Sequence, residues 1–259
     1  MRLDLFLAKL ECVKSRQKAK SLIEGGYVKI NGTKITKPSF LVDESSNLTI
    51  EIDDPCPYVS RGGLKLEKIL QECNISVENK IALDIGASTG GFTDCLLKHG
   101  AKLVYAVDSG SNQLDKSLKE DPRVISIENY NARNICYDDI KSYFDIITID
   151  VSFISQTYIL PSAIELLRED GAYMALIKPQ FEVGKERVGK GGIVKKPIDR
   201  FAGVQSVLEC AEKSNMYCIY FSVSPITGGD GNVEFLAVFL KNSKIKINDS
   251  IIKKIVLES

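Results

Sequence analysis

The stretch KIALDIGASTGGF, residues 80–92, runs from an apolar segment through an acid into a glycine-rich turn and the start of a helical segment. From here to the end of the chain, strand-like and helix-like segments alternate. Further apolar runs follow at LVYAVD (103–108), RVISIE (123–128), FDIITID (144–150), AYMALIK (172–178), YCIYFSV (217–223) and VEFLAVFL (233–240). Helix-like segments near 91–99, 111–119, 135–142 and 155–168 separate the first five runs, and a longer one near 197–213 follows them. Such alternation implies an α/β fold with a mostly parallel sheet and helices on both faces. A glycine-rich loop without a helix joins the last two runs. A seven-stranded sheet with its last strand antiparallel is therefore expected.

Open α/β sheets bind ligands beyond the carboxyl ends of their strands, where glycines admit close backbone approach. Asp84 closes the first run, and Gly86, Ser88, Gly90 and Gly91 make the turn behind it. The turn is not G-x-G-x-x-G and no Gly-Lys-Ser/Thr follows, so the dinucleotide fingerprint and the P-loop both fit poorly. Asp108 ends the second run, where an acid can hold both hydroxyls of a ribose. Singly these are ordinary turn residues; together they point to a nucleoside-type cofactor. Asp150 ends the fourth run and Lys178 the fifth. Glu234 opens the seventh, and an antiparallel course would set it beside the ends of its neighbours. His99, the single histidine, precedes Gly100 at a helix C-terminus, a position the helix dipole favours, so histidine catalysis is not expected.

At roughly 150 residues per domain, a chain of 259 residues suggests two domains. Apolar residues at 44% and charged residues at 26% exclude global disorder, and 34 bases against 34 acids exclude a uniform polycation. The cysteines (12, 56, 73, 95, 136, 210 and 218) are scattered without a CxxC, which suits a reducing cytoplasm and argues against disulfides and a structural metal. The longest stretch without Asp, Glu, Lys or Arg is 16 residues, Ser214–Gly229, and Pro225 and Gly228 break it. That is short of the ~18 apolar residues of a spanning helix. MRLDLFLAKLE also lacks an apolar signal core, so a soluble protein without a membrane partner is expected.

Charge divides off the beginning of the chain. Residues 1–37 hold nine bases against Asp4, Glu11 and Glu24, whereas 38–57 hold five acids and no base. Leu22-Ile23 before Gly25-Gly26 reads as a helix with a glycine stop, and YVKINGTKI as a hairpin turning at Asn31-Gly32. LTIEI (48–52) is a further strand, and Pro55 and Pro57 punctuate a linker. The expected organisation is a small helix–turn–helix and hairpin unit, basic on its helical part, at 1–54, a linker and first helix at 55–79, an α/β domain at 80–242 and a tail at 243–259. Arg2, Lys9, Arg16, Lys18 and Lys20, with Lys14 among them, supply phosphate contacts that position RNA without reading its sequence. A second basic run, Lys185, Arg187 and Lys190 with Lys195, Lys196 and Arg200, lies among glycines and reads as a flexible loop able to order on RNA.

The motifs YVSRGGLKL (58–66), LDIGASTGGFTDCLL (83–97), DVSFIS (150–155), IKPQFEVGK (177–185) and GNVEF (231–235) resemble the TlyA-type family. Its members are called haemolysins but are ribosomal-RNA 2′-O-methyltransferases with an FtsJ-like catalytic domain. RLDLFLAK and SRQKAKSLIEGGYVKING resemble the RNA-binding module shared by a small-subunit ribosomal protein, pseudouridine synthases and tyrosyl-tRNA synthetases. The resemblance implies a Rossmann-like class I methyltransferase domain preceded by a small α+β RNA-binding domain. It implies a tetrad of Lys65, Asp150, Lys178 and Glu234. S-adenosylmethionine would lie over Gly86–Gly91, lined also by Asp84, Ser88 and Asp150. Asp108 would hold its ribose, and Phe92 and Asn131 would lie near its adenine. Ser88-Thr89 stands where FtsJ itself has Ala-Pro, which is the TlyA pattern. The substrate implied is ribosomal RNA or a ribosomal subunit, at a cytidine of the large and possibly also the small subunit, with no obligate protein partner. Short termini resemble the subgroup that modifies large-subunit RNA alone.

Methyl transfer from an activated sulfonium needs in-line positioning and removal of the 2′-hydroxyl proton. Lys178 is the expected proton acceptor, with Lys65 as the neighbouring cation and Asp150 and Glu234 aligning the set. Two other classes compete. An assembly factor with a vestigial fold would not need an intact tetrad, and a membrane-lytic protein would need an apolar segment that this chain does not have.

Overall fold

A computed structural model describes residues 1–10, 13, 16–44, 46–53, 56–228 and 231–259, with the side chain of Gln17 excepted. Glu11, Cys12 and Lys14 of the basic segment, Asp54 and Pro55 at the expected domain boundary, and Gly229 of the last glycine loop lie outside the described residues. The chain forms two compact units, Met1–Ser60 and Arg61–Ser259.

In the first unit, helices α1 (Leu3–Lys9) and α2 (Arg16–Glu24) precede strands β1 (Val28–Ile30), β2 (Thr33–Ile35) and β3 (Ile50–Ile52), ordered β2-β1-β3 and antiparallel throughout. Asn31 (φ 50°) and Gly32 (φ 75°) both take the left-handed conformation that the tight hairpin demands. Leu3, Phe6 and Leu7 of α1 close over Leu22, Ile23, Val28 and Ile30, an i, i+3, i+4 face meeting alternate strand residues. Asp4 is buried to 1% exposure yet ionised, because Arg2 and Arg16 bind its two oxygens at 2.9 Å and hold its carboxyl down at about 2.

The second unit opens with α3 (Gly62–Cys73) and continues β4 (Ile81–Ile85), α4 (Gly91–Lys98), β5 (Leu103–Val107), α5 (Lys116–Lys119), β6 (Val124–Ile127), α6 (Tyr137–Ile140) and β7 (Phe144–Ile149). There follow α7 (Leu160–Glu165), β8 (Leu167–Ile177), α8 (Pro179–Glu182), α9 (Pro197–Lys213), β9 (Met216–Val223), β10 (Phe235–Lys241) and α10 (Asp249–Glu258). The seven strands are ordered β6-β5-β4-β7-β8-β10-β9, and β10 alone runs against its neighbours. The expected sheet, with its last strand antiparallel, is what the chain forms. Residues 144 and 146–149 of β7 and 171–177 of β8 are buried on both faces, as central parallel strands must be.

Three elements differ from expectation. The helix near 111–119 contracts to one turn because Asn112 turns left-handed (φ 54°) and Asp115 caps the chain only from there, accepting from Ser117 N–H at 2.9 Å. The helix near 135–142 stops when Lys141 turns left-handed (φ 56°). The tail is part of the core: Asn248 caps α10, and Ile252 and Val256, one turn apart, are fully buried in the main hydrophobic cluster. Each buried side chain of that size contributes about 1.5–3 kcal/mol.

Candidate active site

The turn after β4 is built from unusual backbone. Gly86 (φ 82°), Ser88 (φ 49°) and Gly90 (φ 95°) are all left-handed. A Cβ at Gly86 would run into the carbonyl oxygen of Asp150, and one at Gly90 into Leu118, so only glycine lets the turn lie so close to its neighbours. Ser88 and Thr89 are exposed above it. Asp108, just past β5, closes the far side: Oδ2 accepts from Ser88 N–H at 2.8 Å and Oδ1 from Gly110 N–H at 2.7 Å. Each oxygen keeps a further lone pair, the acceptor set that a vicinal diol needs. Asn131 follows β6, exposed, with its Oδ1 accepting from Arg133 N–H at 3.1 Å, and the preceding Tyr130 N–H donates to the Asp108 carbonyl. The residues present therefore fit a nucleoside cofactor with a ribose over Asp108.

Asp84 does not line this surface. It is fully buried beneath the turn, with Thr93 Oγ1 of α4 donating to Oδ2 at 2.7 Å and Thr148 Oγ1 of β7 to Oδ1 at 2.9 Å. Phe92, 3% exposed, is likewise packed below the turn. Gly91 is buried at the start of α4. Burial raises the Asp84 carboxyl from 3.8 to about 6 against the two threonine bonds. The folded state thus holds this proton more tightly than the unfolded chain, and stability falls as pH rises from about 4 to about 6. Asp84→Asn keeps both threonine bonds possible without the charge. Its stability relative to wild type should rise through that window by about 2–3 kcal/mol and level off above it, as read by urea unfolding at pH 4 to 8. A pH-independent difference would mean that folding leaves the affinity of Asp84 for its proton unchanged, and a difference still growing at pH 8 would mean that Asp84 does not ionise in the fold.

The tetrad residues lie as two ion pairs. Lys65, on α3, donates to Glu234 Oε2 at 2.5 Å, and the two are only 8% and 3% exposed. The same face of α3 is tied further along the sheet, Lys68 Nζ to the Val223 carbonyl at 3.0 Å and Glu72 to Tyr220 Oη at 2.6 Å. Lys178, directly after β8, lies 2.5 Å from Asp150 Oδ1 and donates to Ser152 Oγ at 3.0 Å. Topology joins the pairs. Phe235 of β10 faces Ile177 of β8 in an antiparallel ladder, so Glu234 and Lys178 fall opposite each other one step beyond it. Asp150 N–H donates to the Ile85 carbonyl, which ties this edge to the glycine turn. Each lysine thus has its own carboxylate.

Two neighbours carried no signal beyond membership of DVSFIS. Ser152 receives the Lys178 bond. Phe153 is 93% exposed and left-handed at φ 64°, a strain of order 1–3 kcal/mol for such a residue, with its ring packed on Phe181 at a centroid distance of 5.2 Å. Strained backbone held in place with no burial of the side chain is a mark of functional loops.

The basic residues divide. Arg2 and Arg16 share Asp4 but keep side chains 44% and 54% exposed, Lys9 pairs with Glu44 at 2.7 Å, and Lys20 lies 3.7 Å from Glu24. Lys18 is half-buried on α2. Lys185, Arg187 and Lys190 are exposed, with Arg187 3.8 Å from Asp199. Arg200 leaves the predicted basic run: it is 7% exposed and donates to the carbonyls of Val194, Lys195 and Ser259. Asn232 holds the loop from the other side, accepting from Val194 N–H at 3.0 Å and donating to the Gly192 carbonyl at 2.9 Å. The loop is anchored at its far end instead of free along its length. Among the described residues no cluster of His, Cys, Asp and Glu could hold a metal, and no helix is long and apolar enough to cross a membrane.

Residues 58–241 match the FtsJ-like methyltransferase family and residues 1–48 the S4 domain. Hemolysin A of Brachyspira hyodysenteriae is 46% identical over 248 residues, covering 93% of this chain and all of that protein. The 16S/23S rRNA (cytidine-2′-O)-methyltransferase TlyA of Mycobacterium tuberculosis is 40% identical over 234 residues, covering 90% of this chain and 87% of that one. A solved structure described as a hemolysin of Streptococcus thermophilus superposes with a TM-score of 0.80 at 41% identity, covering 100% of this chain and 94% of that one.

Proposed function

The chain belongs to the FtsJ-like methyltransferase family, with an S4 domain ahead of the catalytic unit, and from that premise we infer its reaction and the residues that perform it. It is a ribosomal-RNA ribose 2′-O-methyltransferase. The observation that carries the assignment of residues is the pair of salt bridges, Lys65–Glu234 and Lys178–Asp150, set at the strand edge beside the glycine turn. The methyl donor is S-adenosylmethionine, whose sulfonium supplies an already activated methyl group. Gly86, Ser88 and Gly90 would give it a backbone cradle, Asp108 would accept from its ribose hydroxyls, and Asn131 would flank its base.

A ribose hydroxyl does not ionise unaided at neutral pH, so the chain must take its proton. We assign its acceptance to Lys178. An ammonium has three donors and no lone pair, so Lys178 accepts only as the neutral amine, after releasing one proton to bulk water; taking the hydroxyl proton then restores the ammonium, and Asp150 and Ser152 hold its Nζ in place. Glu234, opposite Lys178 and neutralised by Lys65, aligns the hydroxyl without leaving a net charge in the site. The target ribose is reached by lifting the nucleotide from its stack, and the exposed ring of Phe153 offers the displaced base an apolar face. Arg2, Lys9, Arg16, Lys18 and Lys20, with Lys185, Arg187 and Lys190, bind phosphates.

Incubation with radiolabelled S-adenosylmethionine and ribosomal RNA should place label in 2′-O-methylated nucleotides, a cytidine foremost, as read by nuclease digestion and chromatography. Replacing Arg16, Lys18 and Lys20 by glutamine should weaken RNA binding and lower its salt slope by about 0.7–0.9 for each phosphate no longer neutralised, with cofactor affinity unchanged. Label in bases or protein would overturn the reaction, and an unaltered salt slope would remove the first unit from RNA binding.

A further inference from the structure

We propose that Glu182 is a positioning residue for this reaction, clamping the loop that follows β7 so that Ser152 and Phe153 meet Lys178 and the substrate in register. The proposal rests on the reading of Lys178 and Phe153 given above. Helix α8 and this loop meet at three successive points. At the start of the helix Lys178 donates to Ser152 Oγ at 3.0 Å. One turn on, the Phe181 ring packs against Phe153 at 5.2 Å and 53°. At its end Glu182 takes two donors of the loop: Oε1 accepts from Gln156 N–H at 3.0 Å, and Oε2 accepts from Ser155 Oγ.

The loop needs such a clamp. Phe153 is left-handed and almost wholly exposed, so neither its backbone preference nor burial of its ring holds it where it is. What fixes the loop lies beyond Phe153. Gln156 is 1% exposed and its Nε2 donates to the Leu176 carbonyl at 3.3 Å, securing the loop to β8, while Ser155 Oγ also accepts from Thr157 N–H at 3.1 Å. Glu182 is the group that unites these bonds with the helix bearing Lys178. Its carboxyl is raised by burial, and two hydrogen bonds offset that cost. The geometry of the clamp matters, not its charge: a side-chain amide could accept from Gln156 N–H and donate to Ser155 Oγ with the same shape.

The test is single-turnover methyl transfer to ribosomal RNA, with cofactor titration and thermal melting on the same samples. Glu182→Ala should lower the rate by about 10- to 100-fold, the scale for a misplacement near 1 Å, with cofactor affinity within about twofold. Glu182→Gln should restore the rate to within about threefold of wild type, a rescue that loss of general packing would not explain. Wild-type turnover by Glu182→Ala, no rescue by Glu182→Gln, or parallel loss of rate and cofactor affinity would each overturn the clamp. If Glu182→Ala does not fold, Ser155→Ala decides: removing one arm should slow transfer about fivefold or more, and a wild-type rate refutes the proposal. Lys178→Ala is run alongside. Its activity would refute the site itself, whereas an inactive Lys178→Ala beside an unaffected Glu182→Ala refutes only the clamp.

Discussion

Replacing Lys178 by alanine is expected to lower the rate of methyl transfer by about 100-fold or more while leaving the fold and cofactor binding in place. Lys178 directly follows β8, and its ammonium meets Asp150 and Ser152 at the strand edge; the glycine turn and Asp108, the proposed cofactor site, are separate elements. The loss falls on chemistry and not on assembly for that reason. Asp150 is 23% exposed at its side chain, so water can take the place of the missing ammonium. Lys178→Arg should fail to rescue, although it restores charge and much of the volume. A guanidinium stays protonated at any pH the protein survives and offers five donors but no acceptor. Single-turnover transfer to ribosomal RNA, with cofactor titration on the same preparation, separates the outcomes. Near-wild-type turnover by Lys178→Arg would make Lys178 a steering charge and move proton removal elsewhere.

The second large effect belongs to Asp108. Asp108→Ala should weaken S-adenosylmethionine binding by about 1.5–3 kcal/mol, roughly 10- to 150-fold. Two losses combine. Charge-assisted bonds to the ribose hydroxyls vanish, and the N–H groups of Ser88 and Gly110 lose the acceptor that draws the turn after β4 toward β5. Asp108→Asn distinguishes them: one amide oxygen can still accept, but the amide nitrogen cannot serve the second N–H, so an intermediate affinity is expected. Calorimetric titration measures both variants. Unchanged affinity in folded Asp108→Ala would mean that the nucleoside site lies elsewhere.

Much of this site was readable because parallel strands end in a common plane. Once the apolar runs were located, the residues closing them, Asp108, Asp150 and Lys178, had to share one edge, and the helix-free loop before 233–240 turned the last strand so that Glu234 joined them. The hairpin at Asn31-Gly32 was equally local, since those two residues accept left-handed backbone cheaply. What escaped depends on partners distant in sequence. The type of residue at position 84 says acid, but only Thr93 and Thr148 closing over it make it a buried support. Arg200 reads as one more base until α9 points it at the Val194 and Lys195 carbonyls. The short α5 and α6 were overestimated because single left-handed residues, Asn112 before α5 and Lys141 after α6, exclude helical backbone without changing the apolar pattern. Phe153 escaped for the opposite reason: nothing in an aromatic's propensity foretells a positive φ.

The placement of β10 has a temporal consequence. It is the last strand in the chain but lies between β8 and β9, both of which precede it. A nascent chain that has emerged only to residue 228 leaves the facing edges of β8 and β9 without their common partner, and such bare edges invite pairing with other chains. Lys65 and Lys178 are by then already synthesised, yet Glu234 is not, so one lysine waits without the carboxylate that neutralises it. Closure of the sheet and pairing of Lys65 with Glu234 are therefore a single event, and both wait for the last of the seven strands to be made.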